Sequence, residues 1–360
     1  MARINVLQKE ENMIYPQKNW QKKDPEKVGV NLLKLRKAMN KLDSFFLHND
    51  DEAGASQSVV IKNGYLIWQG DETDAFHPVW SCTKSYISTV LGLLIDENLC
   101  SLDTLIYEYV PEIGEEYKGV TLRHLTTMTS GYNAIGYTYD QDGSENPFVP
   151  DTPLFAPGTK YLYWDDPMNL FALVLTRISG RSLEEVFTQK IATPLQIQNF
   201  KWGQWEHYPE QNNTILNGGS GNLDKGVSTT PLDLARFGLL FLSKGKWDGK
   251  QLISEKWVEQ ATTTQVSNEL PNIVYAGRTH LTGSGHYGYN WWTNGVNPNS
   301  KKRIIEHAPE GLFYASGLCD NKCFVIPEWE MVVVRMGTCN KRIEMSQYSE
   351  FFKLLGDAID

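Results

Sequence analysis

No stretch of this 360-residue chain approaches the ~18 consecutive apolar residues that a membrane-crossing helix needs, and its opening, Met1 to Val6, lacks the apolar core of a secretory leader. No membrane span is expected, and localisation stays open: cytoplasmic as written, periplasmic or extracellular if a leader has been removed. Positive charge is also short, with 34 Lys and Arg against 43 Asp and Glu and a formal net charge of −9. The basic residues are scattered apart from clusters such as Lys301-Lys302-Arg303. Such a chain repels a phosphate backbone, so nucleic acid is not an expected partner. Cysteine is scarce. Cys82, Cys100, Cys319, Cys323 and Cys339 cannot all pair within one chain and do not space as a disulfide framework, so free thiols are expected. Cys319 and Cys323 have no second Cys or His pair at a zinc-ligand spacing, and neither metal nor cofactor is expected. A Pro- or Ser-rich linker, an internal repeat and a low-complexity tract are all missing. A chain of this length with 41% hydrophobic residues therefore reads as one compact unit with a large core.

What is present is periodic. Leu32, Leu33, Leu35, Ala38, Met39, Leu42 and Phe45 recur at helical spacing across residues 31–46. Two β-rich runs from Ser58 to Trp68 flank Asn63-Gly64, a dipeptide that tolerates the positive φ angles of a type I′ hairpin turn. An apolar stripe of Ile87, Leu91, Leu94 and Ile95 predicts a helix from Ser81 to Asn98. Residues 98–240 read as helix wherever they are periodic, most clearly at 170–178, 183–191 and 231–242, and as loop elsewhere. Strand patterns return at 322–326 and 331–335 around a Pro-Glu-Trp-Glu turn, and 347–355 closes the chain as a helix. The predicted fold is α+β: an antiparallel sheet built from both chain ends with flanking helices, plus an inserted mainly helical region. Residues 1–97 and 241–360 are assigned to the sheet region and 98–240 to the helical one.

The sharpest chemical signal is Ser81-Cys82-Thr83-Lys84. Positions i and i+3 of a helix share a face with Cβ atoms roughly 5–6 Å apart, so the Lys84 amine can reach the Ser81 hydroxyl. A serine is a poor nucleophile until a neighbour takes its proton. At the first turn of a helix it also sits among unpaired backbone N–H groups and near the positive dipole end, both of which favour a developing oxyanion.

The run His77-Pro78-Val79-Trp80-Ser81-Cys82-Thr83-Lys84-Ser85, with Leu99 to Asp103, resembles the nucleophile segment of the class C β-lactamase, esterase and penicillin-binding-protein superfamily. Val120 to Gly131 resembles that superfamily's next helix and turn. Pro157-Gly158-Thr159-Lys160-Tyr161-Leu162-Tyr163-Trp164-Asp165 is similar to its Pro-Gly-x-x-Phe-x-Tyr-x-Asn pattern, and the likeness spans about residues 55 to 340. It implies that Tyr163 is a second proton-handling residue, a phenol made usable as a base by the nearby Lys84 cation. Tyr161, two positions earlier, is the competing candidate. Where the pattern has Asn, this chain has Asp165. An ionised Asp only accepts hydrogen bonds, so Asp165 is expected to pair with Lys84, keep it protonated and move more of the base role to Tyr163.

The superfamily's Lys-Thr-Gly triplet is absent, which ranks β-lactams below esters and amides as substrates. The best match to that element is Phe313 to Lys322, similar to a turn in 6-aminohexanoate-oligomer hydrolases. By that analogy the backbone N–H groups of Ser81 and Leu318 form an oxyanion hole, with Ser316, Gly317, Asp320 and Asn321 bordering the substrate. Asn217 to Gly221 resembles a structural loop and lacks the context of a phosphate-binding one. Trp80, Trp164, Trp291 and Trp292 lie near these motifs and are candidates to wall an apolar acyl pocket.

The resulting expectation is a serine hydrolase, a monomer or small homo-oligomer, cleaving a small ester, amide or peptide-like substrate through an acyl-enzyme on Ser81. A true β-lactamase, a D-aminopeptidase and a non-catalytic sensor of cell-wall fragments are the alternatives. A metallohydrolase using His280, His286 and His307 lacks a ligand motif. Esterase activity is accordingly expected to survive dialysis against excess EDTA, and its loss would favour the metal reading.

Overall fold

The computed structural model describes residues 13–45, 57–135, 146–206, 214–222, 224–274, 281–338 and 343–359. Residues 1–6, Cys339 and His280 fall outside these spans, as does residue 46 at the end of the first predicted helix. In chain order the strands are β1 (Ser58–Lys62), β2 (Tyr65–Gln69), β3 (His77–Pro78), β4 (Phe200–Trp202), β5 (Val227–Thr229), β6 (Lys246–Trp247), β7 (Lys250–Gln251), β8 (Trp292–Thr293), β9 (Phe313–Ser316), β10 (Lys322–Ile326) and β11 (Met331–Arg335). The α-helices are α1 (Leu32–Ser44), α2 (Thr83–Asp96), α3 (Leu122–Thr126), α4 (Asp166–Ser179), α5 (Leu183–Phe187), α6 (Pro231–Leu242), α7 (Glu255–Ala261) and α8 (Met345–Gly356).

The main sheet has the order β2-β1-β11-β10-β9-β8, with β1 antiparallel to β11 in a register that pairs Ser58 with Arg335 and Lys62 with Met331. Both chain ends therefore build one sheet, as the sequence pattern predicts. β1, β10 and β11 are buried along their whole length, which is why Val59-Val60-Ile61 and Val332-Val333-Val334 read as continuous apolar runs instead of alternating ones. Asn63 (φ 53°) and Gly64 (φ 80°) make the tight connection between β1 and β2.

Helices cover both faces. Phe324 meets Tyr348 and Phe352 of α8, while its neighbour Cys323 faces the other way, its thiol against the Leu234 carbonyl of α6. A Cβ added to Gly238 of α6 would fall 2.7 Å from both Cys323 Sγ and a Val332 methyl, so the missing side chain lets α6 lie flat on the sheet. On the helical side, Tyr86 of α2 stacks on Phe237 at 4.2 Å between ring centroids and packs with Phe187, Phe200 and Trp202.

Three expectations need adjustment. Ser81 does not open the α-helix but sits in a 3₁₀ turn, Trp80–Cys82, that leads into it. The helix predicted over 183–191 ends as α-helix at Phe187 and finishes in a π-helical turn, Thr188–Ala192. The region read as helix and loop also contains β4 and β5, which join β3 in a small second sheet. Strands of three residues are too short to show a period of two.

His77, His124 and His286 are all held below the ordinary imidazole pKa, chiefly by burial. A depressed value in the folded state means stability that is complete above the unfolded pKa of ~6.5 and is lost as pH falls toward the folded values. The thermal midpoint is expected to drop between pH 7 and pH 5, before carboxylates titrate. A midpoint flat across that interval would contradict neutral burial.

Candidate active site

Helix α2 is buried from Thr83 to Leu94, and its sequence explains how: small, hydroxyl and apolar residues throughout, with Lys84 the single cation. Just before it the chain is bent sharply. Trp80 adopts φ 50°, the left-handed region that costs a bulky residue ~1–3 kcal/mol, and this places Ser81, partly exposed, at the edge of the buried helix. The bend is held from behind by the glycine-rich loop. A Cβ on Gly221 (φ 95°) would lie 2.2 Å from the Trp80 carbonyl oxygen, and the Thr83 hydroxyl accepts from the Val227 amide at 2.9 Å.

Lys84 is 1% exposed, and its ammonium has three protein acceptors: Ser81 Oγ at 2.9 Å, Asp165 Oδ1 at 2.6 Å and the Ser220 carbonyl at 3.2 Å. Three donors meet three acceptors, which is what a buried ammonium requires. Asp165 occupies the N-cap position of α4 but makes no side-chain cap bond, its carboxylate turning to Lys84 instead. Removing one partner from a buried pair of this kind costs ~3–5 kcal/mol, because the other charge is left stranded. Ser220 was not singled out by the sequence, where the loop looked structural. It is both, since Asn169 of α4 accepts the Gly219 amide at 2.9 Å and so fixes the carbonyl that Lys84 uses.

The Lys84 ammonium also lies 4.7 Å from the centroid of the Tyr163 ring, close enough for a cation–π contact. Tyr163 stacks on Trp292 at 5.4 Å and meets Tyr287 edge-on at 6.2 Å. Tyr161 also meets Tyr287, at 5.5 Å, as positions i and i+2 of an extended segment share a side. The two phenols differ in depth: Tyr161 is fully buried and burial pushes its pKa well up, while Tyr163 is partly exposed beside Lys84. Fold and burial thus separate two candidates that the sequence leaves side by side.

The far wall is the end of β9. A Cβ on Gly317 would fall 2.1 Å from the Val79 carbonyl oxygen and 3.2 Å from the Ser81 nitrogen, so the Gly317-Leu318 peptide runs against the Ser81 turn. Cys319 (φ 59°) and Asp320 (φ 57°) turn the chain back into β10. Asn321 is fully buried and holds this turn: its side-chain amide donates to the Leu318 carbonyl at 2.7 Å, its carbonyl oxygen accepts from Gly337 N–H at 3.1 Å, and its backbone carbonyl accepts from Gly317 N–H at 2.8 Å. Asp320 is buried too, accepting from Tyr348 O–H at 2.5 Å. Both side chains sit behind the turn, so they support it without facing a substrate. Trp164 is buried with Phe155 and Leu162, and Trp291 is fully buried against Phe237 and Phe241, so neither walls a pocket; Trp80 is half-buried. Among the described residues no group of three or more His, Cys, Asp or Glu is placed to hold a metal ion.

A serine and a lysine one turn apart, a tyrosine brought to the same ammonium and a β-strand end beside the serine nitrogen form the candidate site of a serine hydrolase. The β-lactamase family model matches residues 58–356, and the chain belongs to that family. It is 24% identical over 301 residues to an uncharacterised protein of Alkalihalophilus pseudofirmus, covering 80% of this chain and 81% of the relative. It is 25% identical over 247 residues to a 6-aminohexanoate-dimer hydrolase of Paenarthrobacter ureafaciens, covering 63% and 60%. Its fold matches a penicillin-binding protein homologue from Caulobacter crescentus at a TM-score of 0.65 and 15% identity, over 92% of this chain and 99% of that one.

Gly317→Ala tests the close approach of strand and nucleophile. Because the added methyl must displace Val79 and with it the Ser81 turn, hydrolytic turnover is expected to fall at least ~10-fold in kcat/KM, with a lower thermal midpoint. Wild-type kinetics in that variant would contradict the contact.

Proposed function

We propose that the protein hydrolyses a small ester or amide through an acyl-enzyme on Ser81. The observation that carries this reading is the Lys84 ammonium, shared at hydrogen-bond distance between Ser81 Oγ and Asp165 and lying on the Tyr163 ring. Asp165 holds the proton on Lys84, so the ammonium acts as a fixed positive charge and Tyr163 is the base. Ser81 Oγ attacks the carbonyl carbon as its proton passes to the Tyr163 oxygen. The oxyanion is met by the N–H groups of Ser81 and Leu318. Tyr163 then delivers that proton to the leaving oxygen or nitrogen, and the ester on Ser81 remains. Water attacks that ester, gives its proton to the same base, and the acid leaves as Ser81 recovers its hydrogen. The name of the 6-aminohexanoate-dimer hydrolase adds weight to an amide substrate.

The decisive experiment is covalent capture. A fluorophosphonate probe is expected to add to Ser81, read by mass spectrometry, and Ser81→Ala to abolish both label and turnover. A non-catalytic sensor would leave Ser81 unmodified.

Asp165→Asn isolates the role of the carboxylate. Without the anion the Lys84 ammonium loses one of its three acceptors, so the pH–rate profile of acylation is expected to change. An unshifted profile would mean that Asp165 does not hold the proton.

A further inference from the structure

Two rings hold Tyr163: Trp292, stacked at 5.4 Å, and Tyr287, edge-on at 6.2 Å. Trp292, with Ser316, borders a cavity of about 260 Å³, so part of the indole has open space beside it. Tyr287 has no such freedom. It is 1% exposed, and its ring is also wedged against Trp292 at 4.8 Å and Tyr161 at 5.5 Å. The turn at 287–291 is tied in turn to the helix that carries Lys84: Ser88 of α2 donates its hydroxyl to the Tyr289 carbonyl at 2.6 Å, and Ser85 to the Asn290 carbonyl at 2.8 Å. Asn290 (φ 56°) anchors the turn from within. Its Oδ1 accepts the Thr126 hydroxyl of α3 at 2.8 Å, and its Nδ2 donates to Met168 Sδ of α4 and to the Tyr287 oxygen, each at 3.4 Å.

An amide nitrogen can only donate, so the Tyr287 oxygen accepts from Asn290 and turns its own hydrogen elsewhere. Among the described residues no acceptor stands at hydrogen-bond distance for that hydrogen. Packing does not call for it: a phenylalanine would fill the same space without burying an O–H, which is costly when unanswered. Burial, and after it the charge of Tyr163, push the Tyr287 pKa up, so this phenol keeps its proton and acts as a donor, never as a rival base. The charges of Lys84 and Asp165 act on the same hydroxyl, which places it beside the charged centre of the site. Tyr161 is the contrast. Its hydroxyl is likewise buried and unpartnered among the described residues, but the charges acting on it are those of other phenols.

We propose that Tyr287 is the positioning residue of the general base: its ring fixes Tyr163, and its hydroxyl offers a hydrogen bond to the phenolate oxygen with which Tyr163 takes the Ser81 proton. This deepens the acyl-enzyme reading and rests on it. An unassisted phenol, with a pKa of ~10, is scarcely ionised at neutral pH, so a donor that favours the phenolate raises the fraction of protein ready to react. No proton leaves Tyr287. Because Ser85 and Ser88 bind its turn to α2, the support of the base and the helix of Lys84 move as one body, which keeps Tyr163 in register with Ser81.

Tyr287→Phe removes one oxygen and keeps the ring. With p-nitrophenyl butyrate, kcat and the pre-steady-state acylation rate are expected to fall ~10–100-fold while KM stays within about twofold, and the pH–rate profile of acylation to change. The thermal midpoint should hold or rise, since a poorly answered buried O–H is gone. Fluorophosphonate labelling of Ser81 should slow in parallel, a reading that does not depend on which ester is the substrate. Tyr161→Phe, which deletes a buried hydroxyl from the same aromatic cluster, is the control and is expected to leave kcat, labelling and pH profile unchanged. Wild-type kcat and labelling rates in folded Tyr287→Phe, or an equal loss in Tyr161→Phe, would overturn the proposal, while labelling of Ser81 in the wild type left the hydrolase reading standing. If the wild-type protein neither labels at Ser81 nor turns over ester, both fall together.

Discussion

One ammonium, that of Lys84, organises the site. A charge on a helix buried on all sides survives only if each of its hydrogens finds an acceptor, and the three acceptors come from three separate parts of the chain: Ser81 from its own turn, Asp165 from the start of α4 and Ser220 from the glycine-rich loop. The need to satisfy that group therefore fixes where α4 begins relative to α2 and how the loop is seated. The same contacts put the Ser81 hydroxyl and the Tyr163 ring at its border. Stability and chemistry here share one set of hydrogen bonds.

Much of this was legible in the chain. The Asn-Gly hairpin, the two valine-rich strands near the C-terminus, the amphipathic first and last helices and the Ser-x-x-Lys spacing all express local rules, and local rules survive folding. The pairing of Asp165 with Lys84 could also be anticipated, because a carboxylate and an amine that the motifs bring to one site have few better partners. Less was legible where the reason is tertiary. Nothing in a Gly-Gly-Ser-Gly run announces that one carbonyl will face a lysine 136 positions away. Trp164 and Trp291 look like pocket walls from their neighbours in sequence, yet which way an aromatic ring points depends on packing. Asp320 and Asn321 were read as bordering the substrate because a turn near a nucleophile attracts that reading, whereas two consecutive left-handed residues send both side chains inward.

Lys322 shows a different limit. Its place as the first residue of a strand is plain, but its partners depend on cross-strand register: opposite Ser316 on one side and Arg335 on the other. A shift of one residue would have turned it to the opposite face of the sheet. Register is set by the whole sheet, so a motif search along one strand does not find a pair of side chains supplied by two.

The order of strands also governs how the molecule comes into being. β1 lies between β2 and β11, so the segment that leads to Ser81 is flanked by one neighbour made at once and another made almost three hundred residues later. On the ribosome the early hairpin must wait, its second edge unpaired, until the last strands emerge. Long-range closure of this kind slows folding and leaves an adhesive edge open until the last strands of the sheet are made.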